Sequence, residues 1–264
     1  MEIANLLLIN LAVSATCFIA LWLISIRLKD PSFVDAWWGL GIVVIAWTSY
    51  IITGRSGPRR LVLTALCTAW GLRLGAYLFW RWRSHGPDRR YVTMMAHAKK
   101  ERGWGFATAS LLLVFALQMP LQFIVALPVQ LGQLGPDTGL GPLAIIGALL
   151  AMVGISFETI GDLQLVHFKS DPKNAGKVMH TGLWRYTRHP NYFGDACTWW
   201  GLLLIAAEAP FGLWALPGPV LLSFLLTRFS GVPTVEGRMR RTRPDYEAYV
   251  AQTSGFIPWW PKRG

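Results

Sequence analysis

The sequence predicts an all-α membrane protein: a polytopic bundle of seven transmembrane helices forming a single domain over residues 1–264. Three observations carry this reading. Hydrophobic residues make up 53% of the chain and charged residues only 15%, with 14 tryptophans and a mean hydropathy of +0.38, a balance foreign to soluble domains. The apolar residues gather in seven runs, each close to the ~20 residues that a span needs. The basic residues collect in alternate connections, as the positive-inside rule demands of cytoplasmic loops.

The runs follow in order as 4–26, 33–53, 60–82, 105–130, 141–165, 191–207 and 212–229. The first opens Met-Glu-Ile-Ala with no basic flank, so it is expected to be a span and not a cleaved signal. The second contains Asp35, the third Arg73, and the fifth Glu158 and Asp162. Pro120 and Pro128 are expected to break the fourth, and Pro217 and Pro219 lie near the start of the seventh. Arg27 and Lys29 follow the first run, and a basic segment from Arg83 to Arg102 follows the third. Lys169, Lys173, Lys177, Arg185 and Arg188 follow the fifth, and Arg238, Arg240, Arg241, Arg243, Lys262 and Arg263 lie in the tail. Residues 132–141 and 208–212 carry no base; Arg55, Arg59 and Arg60 break the pattern. The expected topology has the N-terminus outside and the C-terminus in the cytoplasm, in the inner membrane if the source is bacterial. The amphiphilic tail 233–264, with Tyr246, Tyr249, Phe256, Trp259 and Trp260, is expected to fold back on the cytoplasmic face.

A net charge of +11 would suggest nucleic acid in a soluble protein. Here the bases lie between apolar runs, so anionic headgroups or an anionic cofactor are the expected partners, nucleic acid is not, and a monomer is expected. Cys17, Cys67 and Cys197 all fall in apolar runs and read as small buried hydrophobes. The five histidines form no metal-ligand pair on one helical face. No GxGxxG, P-loop, HExxH or GxSxG motif is present, so a nucleotide would need a site of another kind.

Chemistry concentrates in ionisable residues inside the apolar runs, which are costly without a function or a partner. The stretch Gly182–Gly201 begins polar, aromatic and cationic, then turns apolar. Pro190 is placed to start a helix. Asn191, Tyr192 and the first free N–H groups then form an anion site beside Arg185 and Arg188, and Asp195 follows one turn inside. Glu158 and Asp162, four apart, share one helical face and need a cation, a proton or hydroxyl donors. The structural alternative is an ion pair with Arg228 or another arginine. Lys169 and Lys177 flank the loop 172–176 and suit phosphate, although topology alone also explains them. Arg73, Tyr77 and Arg81 share a face of the third run. A tyrosine beside a cation can donate a proton to a carbonyl, and Asp35 is a candidate partner for Arg73. Asp88-Arg89-Arg90-Tyr91 reads as a solvated charged loop that caps the cytoplasmic mouth at most. Gln118 and Gln122 either bind substrate or satisfy carbonyls freed by Pro120.

Gly182-Leu-Trp-Arg-Tyr-Thr-Arg-His-Pro-Asn-Tyr-Phe-Gly-Asp195, followed by Trp199-Trp200-Gly201, resembles the signature of the steroid 5-alpha-reductase C-terminal-domain superfamily, in its bacterial branch of unknown function. Pro244-Asp245-Tyr246-Glu247-Ala248-Tyr249, Thr253–Trp259, Val34–Gly39 and Asp88–Tyr91 are similar to that branch as well. The specific match covers roughly 155–260. The resemblance implies a seven-helix membrane reductase that takes NADPH from the cytoplasm and reduces the conjugated C=C of a lipophilic enone, steroid-like or isoprenoid. It implies that residues 141–264 hold the cofactor and 1–130 the substrate. It places Asp162 at the adenosine-ribose end, Glu158 where steroid reductases often have Asn, Lys169 and Lys177 near phosphate, and Asn191, Asp195 and Trp199 near the nicotinamide. Arg185, Arg188, His189, Tyr192, Arg228, Glu236 and Tyr246 complete the implied cofactor set. The animal reductases' Gln-Glu pair is absent; Tyr77, tuned by Arg73 and Asp35, would polarise the substrate carbonyl. Arg188-His189-Pro190-Asn191-Tyr192-Phe193-Gly194, Glu236 and Tyr246/Tyr249 also resemble isoprenylcysteine and phospholipid methyltransferases, which implies S-adenosylmethionine instead. A non-enzymatic lipid-binding protein is the third expectation.

Overall fold

The computed structural model describes residues 3–136, 139–229 and 231–262; Met1, Glu2 and Arg263, used in the readings above, lie outside them. Among the described residues the chain is helical, with no strand. Three long helices come first: α1 (Ile3–Leu28), α2 (Val34–Thr53) and α3 (Pro58–His85). The short amphipathic α4 (Arg89–Arg102) follows. Next, α5 (Phe106–Ser110), a π-helical turn (Leu111–Phe115) and α6 (Ala116–Val125) form one continuous run, with α7 (Leu127–Leu131) after it. The second half contains α8 (Pro142–Ser170), α9 (Pro190–Ala206), α10 (Pro217–Phe224), a π-helical turn (Leu225–Phe229), α11 (Val232–Thr242) and α12 (Tyr246–Gln252).

Among the described residues, six helical runs are long and apolar enough to cross a membrane: α1, α2, α3, 106–125, α8 and 212–242. The protein is therefore an integral, multi-pass membrane protein. The remaining apolar run forms α9, which has 17 residues, about 25 Å at 1.5 Å per residue. It is also the most enclosed: Trp199, Leu202 and Ile205 are fully buried. Pro120 does not break its run. A π-helical turn precedes it, the kind of local adjustment by which membrane helices accommodate proline. The break falls at Ala126 instead, and Pro128 sits at the start of α7, where its missing N–H costs nothing.

Glycine sets the closest approaches. In α8, Gly147, Gly154 and Gly161 recur every seven residues and face Gly201, Gly194 and Pro190 of α9. A Cβ on Gly154 would lie 2.5 Å from the Gly194 carbonyl oxygen, and one on Gly194 would lie 2.5 Å from that of Gly154. Small residues at such an interface let backbones touch where lipid offers no competing hydrophobic drive. The α2–α3 hairpin uses the same device, with Gly71 against Gly39 and Gly75 against Ala36.

Arg59 and Arg60, the exceptions to the charge pattern, are fully buried. Arg59 Nη1 donates to the Gly132 carbonyl at 2.7 Å and Arg60 Nη2 to that of Gly135. Nearby, Glu208 accepts from the Gly141 and Ala144 N–H groups at 2.9 Å each, closing the open N-terminus of α8. These charges serve loop carbonyls and a helix end, so they carry no topological information. The tail folds back onto the approach to α9: Tyr249 Oη donates to the Trp184 carbonyl at 2.6 Å, and the Trp259 N–H donates to that of Tyr186 at 2.9 Å.

Candidate functional site

Inside the bundle, Arg73 projects from α3 against α8. Its Nη1 lies 2.7 Å from Asp162 Oδ2, and its Nη2 pairs with Glu158. The two carboxylates do share one face, and one guanidinium fork bridges them. The arginine that the structural alternative required is thus Arg73. Asp162 also accepts from Asn191 Nδ2 at 3.2 Å, which ties the start of α9 to the middle of α8. One turn further along α9, Asp195 Oδ1 accepts from Trp70 Nε1 at 3.1 Å. The indole of Trp70 stands edge-on to Trp199, centroids 5.1 Å apart at 90°. Sequence reasoning did not single out Trp70; an apolar-face tryptophan gives no sign of its donor role. Glu158 Oε2 and Trp199 Nε1 are buried and have no hydrogen-bond partner among the described residues. Three carboxyl groups against one guanidinium leave acceptor capacity for hydroxyl or amide donors.

Tyr77 and Arg81 continue the face of α3 that carries Arg73. Asp162, Arg81, Arg73 and Tyr192 all lie within electrostatic reach of Tyr77. Its hydroxyl makes no hydrogen bond among the described residues, and its ring stacks on Trp80 at 6.1 Å. Tyr192 lies parallel to His189 at 5.4 Å and 2°.

A cavity of about 550 Å³ opens between the end of α8, the 171–179 segment, α11 and α12. It starts at Leu165, one residue short of a turn beyond Asp162. Lys169, Lys177, Arg188, Arg238 and Arg243 line it, with Trp184, Tyr246 and Tyr249 as aromatic wall. Arg188 is held in place: Nε lies 2.8 Å from Glu236 Oε1 and Nη1 donates to the Thr253 carbonyl at 2.8 Å. The same Glu236 oxygen lies 3.1 Å from His189 Nε2. Lys169 lies within electrostatic reach of Arg238, Arg81 and Arg243. Burial pushes the Tyr246 phenol up to about 12, with Glu236 adding to it, so Tyr246 stays a neutral hydroxyl. Arg238 and Arg243 were read from the sequence as topology alone; the fold makes them cavity wall. Arg185 and Arg228 are exposed and line neither the cavity nor the inner cluster.

Asp35 does not meet Arg73. The α2 face that packs on α3 is set by Ala36, Gly39 and Leu40 against Gly71 and Gly75. Asp35, one residue and about 100° away, points at α4 instead. It accepts from Tyr91 Oη at 2.5 Å and from Arg90 Nη2 at 2.8 Å. Gln118 Nε2 donates to Tyr91 Oη at 2.9 Å, and Trp38 Nε1 donates to Gln118 Oε1 at 2.7 Å. The segment read as a solvated loop is therefore a latch. Asp88 caps α4, accepting from the Arg90 N–H at 2.9 Å. Burial raises the Asp88 carboxyl, but the Arg90 hydrogen bonds outweigh it and hold the group below the usual carboxylate range. Burial, then the Asp35 charge, raises Tyr91, which stays protonated. The signal was present in the sequence: a cap residue, then Tyr91, Met94, Met95 and Ala98 at helical spacing.

No curated protein and no solved structure matches the chain. One family model does match, over residues 21–253, and it is described as a protein of unknown function, DUF1295. That span covers both hairpin and cavity, the latch on α4 and the Arg188–Glu236 pair, and the chain belongs to this family.

Proposed function

We propose that the protein is an NADPH-dependent membrane reductase acting on the conjugated C=C of a lipophilic enone. It would cross the membrane seven times, α9 included, with its N-terminus outside and its C-terminus cytoplasmic. The observation that carries this reading is the alignment of two sites along α8 and α9: a cation-lined cavity at the α8 end, then an acid-rich polar cluster one turn deeper. The residues fit an elongated dinucleotide. Lys169, Lys177, Arg238 and Arg243 would hold phosphate, Asp162 and Asn191 would meet a ribose, and the orphaned Glu158 Oε2 and Trp199 Nε1 would serve the deep end. NADPH supplies a hydride when bound. Tyr77 would donate its hydroxyl proton to the substrate carbonyl. Tyr91 is the weaker candidate, because its one proton is committed to Asp35.

The methyltransferase reading draws support from Glu236, a residue that signature shares, which joins Arg188 and His189 here. Charge disfavours it. S-adenosylmethionine carries a net positive charge and would enter a cavity whose cations outnumber its carboxylates, whereas the phosphates of NADPH match it.

Purified protein is expected to gain about 2.7 kcal/mol of stability at an NADPH concentration a hundredfold above Kd, read as a rise in melting temperature, with no response to S-adenosylmethionine. The reverse pattern installs the methyltransferase, and silence with both leaves a lipid-binding protein. Asn191→Ala is expected to weaken the NADPH response. Tyr77→Phe should lower enone turnover by about 10²–10⁴-fold with cofactor binding intact. Tyr91→Phe should instead leave turnover within a few-fold and destabilise the α4 latch by about 1 kcal/mol. Reversed outcomes for the two tyrosines would transfer the donor role to Tyr91.

A further inference from the structure

The segment between α12 and the end of the described chain is held on one side and bare on the other. Its backbone grips the approach to α9. Ser254 O accepts from the Arg188 N–H at 2.9 Å, Phe256 O from Thr187 Oγ1 at 2.8 Å, and the Trp259 N–H donates to Tyr186 O at 2.9 Å. Phe256 stacks edge-on against Phe193 in the first turn of α9, at 6.2 Å, and Trp260 against Tyr186 at 5.5 Å. Its outer side chains are largely bare even so: Ile257, Trp259 and Trp260 are 65%, 71% and 74% exposed. Arg185, next in the chain to Tyr186, and Lys262, two residues after Trp260, are exposed as well.

We propose that Ile257, Trp259 and Trp260 dock into the headgroup layer of an anionic bilayer leaflet, and that this docking fastens Arg188 and the cavity it lines. Two observations choose lipid over a protein partner. The patch is continuous with the point where α9 enters the apolar part of the bundle, through the Phe193–Phe256 and Tyr186–Trp260 contacts. Its composition is that of a membrane interface, adjacent indoles with flanking bases. The indole holds its apolar body against acyl chains and its N–H in water, and Arg185 and Lys262 meet acidic headgroups. The tail then acts as a strap. Lipid holds its outer face while its carbonyls hold Arg188, which in turn holds Glu236, the partner of His189. The inference is independent of which cofactor the cavity takes.

The test places the full chain in nanodiscs of phosphatidylcholine and phosphatidylglycerol, with acyl chains brominated or not. Tryptophan emission of the wild type minus that of Trp259→Phe/Trp260→Phe isolates the two indoles. Bromine is expected to reduce this difference signal by about twofold or more. An unquenched signal at the wavelength of water-exposed indole overturns lipid docking and leaves a protein partner or solvent as the cover. A second arm reads hydrogen exchange at the Arg188 amide. Trp259→Ser/Trp260→Ser is expected to speed it by about tenfold, and the phenylalanine pair is not. Unchanged exchange in a monodisperse serine variant overturns the strap.

Discussion

Arg73→Leu is expected to leave little folded protein. Among the described residues Arg73 is the only cation paired with Glu158 and Asp162, and Asp195 lies within reach of its charge. Removing one partner from a buried ionic cluster leaves the other charges uncompensated, at a cost of about 3–5 kcal/mol. That is a large part of the 5–15 kcal/mol by which a typical protein is stable. Arg73→Lys keeps the charge but replaces a fork that spans two carboxylates with a single point, so an intermediate loss is expected. Arg73→Leu combined with Glu158→Gln and Asp162→Asn should recover much of the loss, since the carboxylates would no longer be stranded. Melting temperature and monodispersity in detergent read all three. If Arg73→Leu melts with the wild type, the cluster is solvated and this account of the bundle's centre is wrong.

Gly154→Ala is the second large effect. The added methyl would sit 2.5 Å from Gly194 O, Thr198 N and Thr198 Oγ1. Two of these three atoms are backbone, so α8 and α9 have to separate. Overpacking of this kind costs about 1–3 kcal/mol. The functional loss should exceed the structural one, because the same pair of helices holds Asn191 3.2 Å from Asp162. Gly161→Ala is the matched control. Its methyl would meet Pro190 Cγ at 3.2 Å and Asn191 N at 3.3 Å, which a shift of a few tenths of an ångström relieves. A clear ordering, Gly154→Ala well below Gly161→Ala in both melting temperature and nucleotide response, is the expected result. Equal behaviour would mean that the α8–α9 contact does not govern the site.

Much of the architecture was legible because hydropathy reports depth. The apolar runs become helices close to their expected bounds, and the tail returns to the approach of α9 because Tyr249, Thr253 and Phe256 carry the donors and carbonyls that hold it. The four-residue spacing of Glu158 and Asp162 was enough to place them on one face. The heptad glycines of α8, Gly147, Gly154 and Gly161, went unread: their spacing is compatible with a close helix contact but names no partner helix. The charge pattern was less reliable. Arg59 and Arg60 counted as loop bases, yet they lie buried against carbonyls.

What the sequence determined by itself was therefore the membrane character of the chain, the helices and their approximate ends, and which ionisable residues lie within apolar runs. Only the tertiary structure decided which of those residues meet. Arg73 went to Glu158 and Asp162, Asp35 to Tyr91 and Arg90, and Arg238 and Arg243 to a cavity wall. The reason is geometric. Hydropathy along a chain fixes a residue's position along its helix axis, but the rotation of each helix about that axis is set by packing against neighbours. In this bundle that rotation is fixed by backbone-to-backbone contacts at Gly39, Gly71, Gly154 and Gly194, residues with no side chain to advertise a partner.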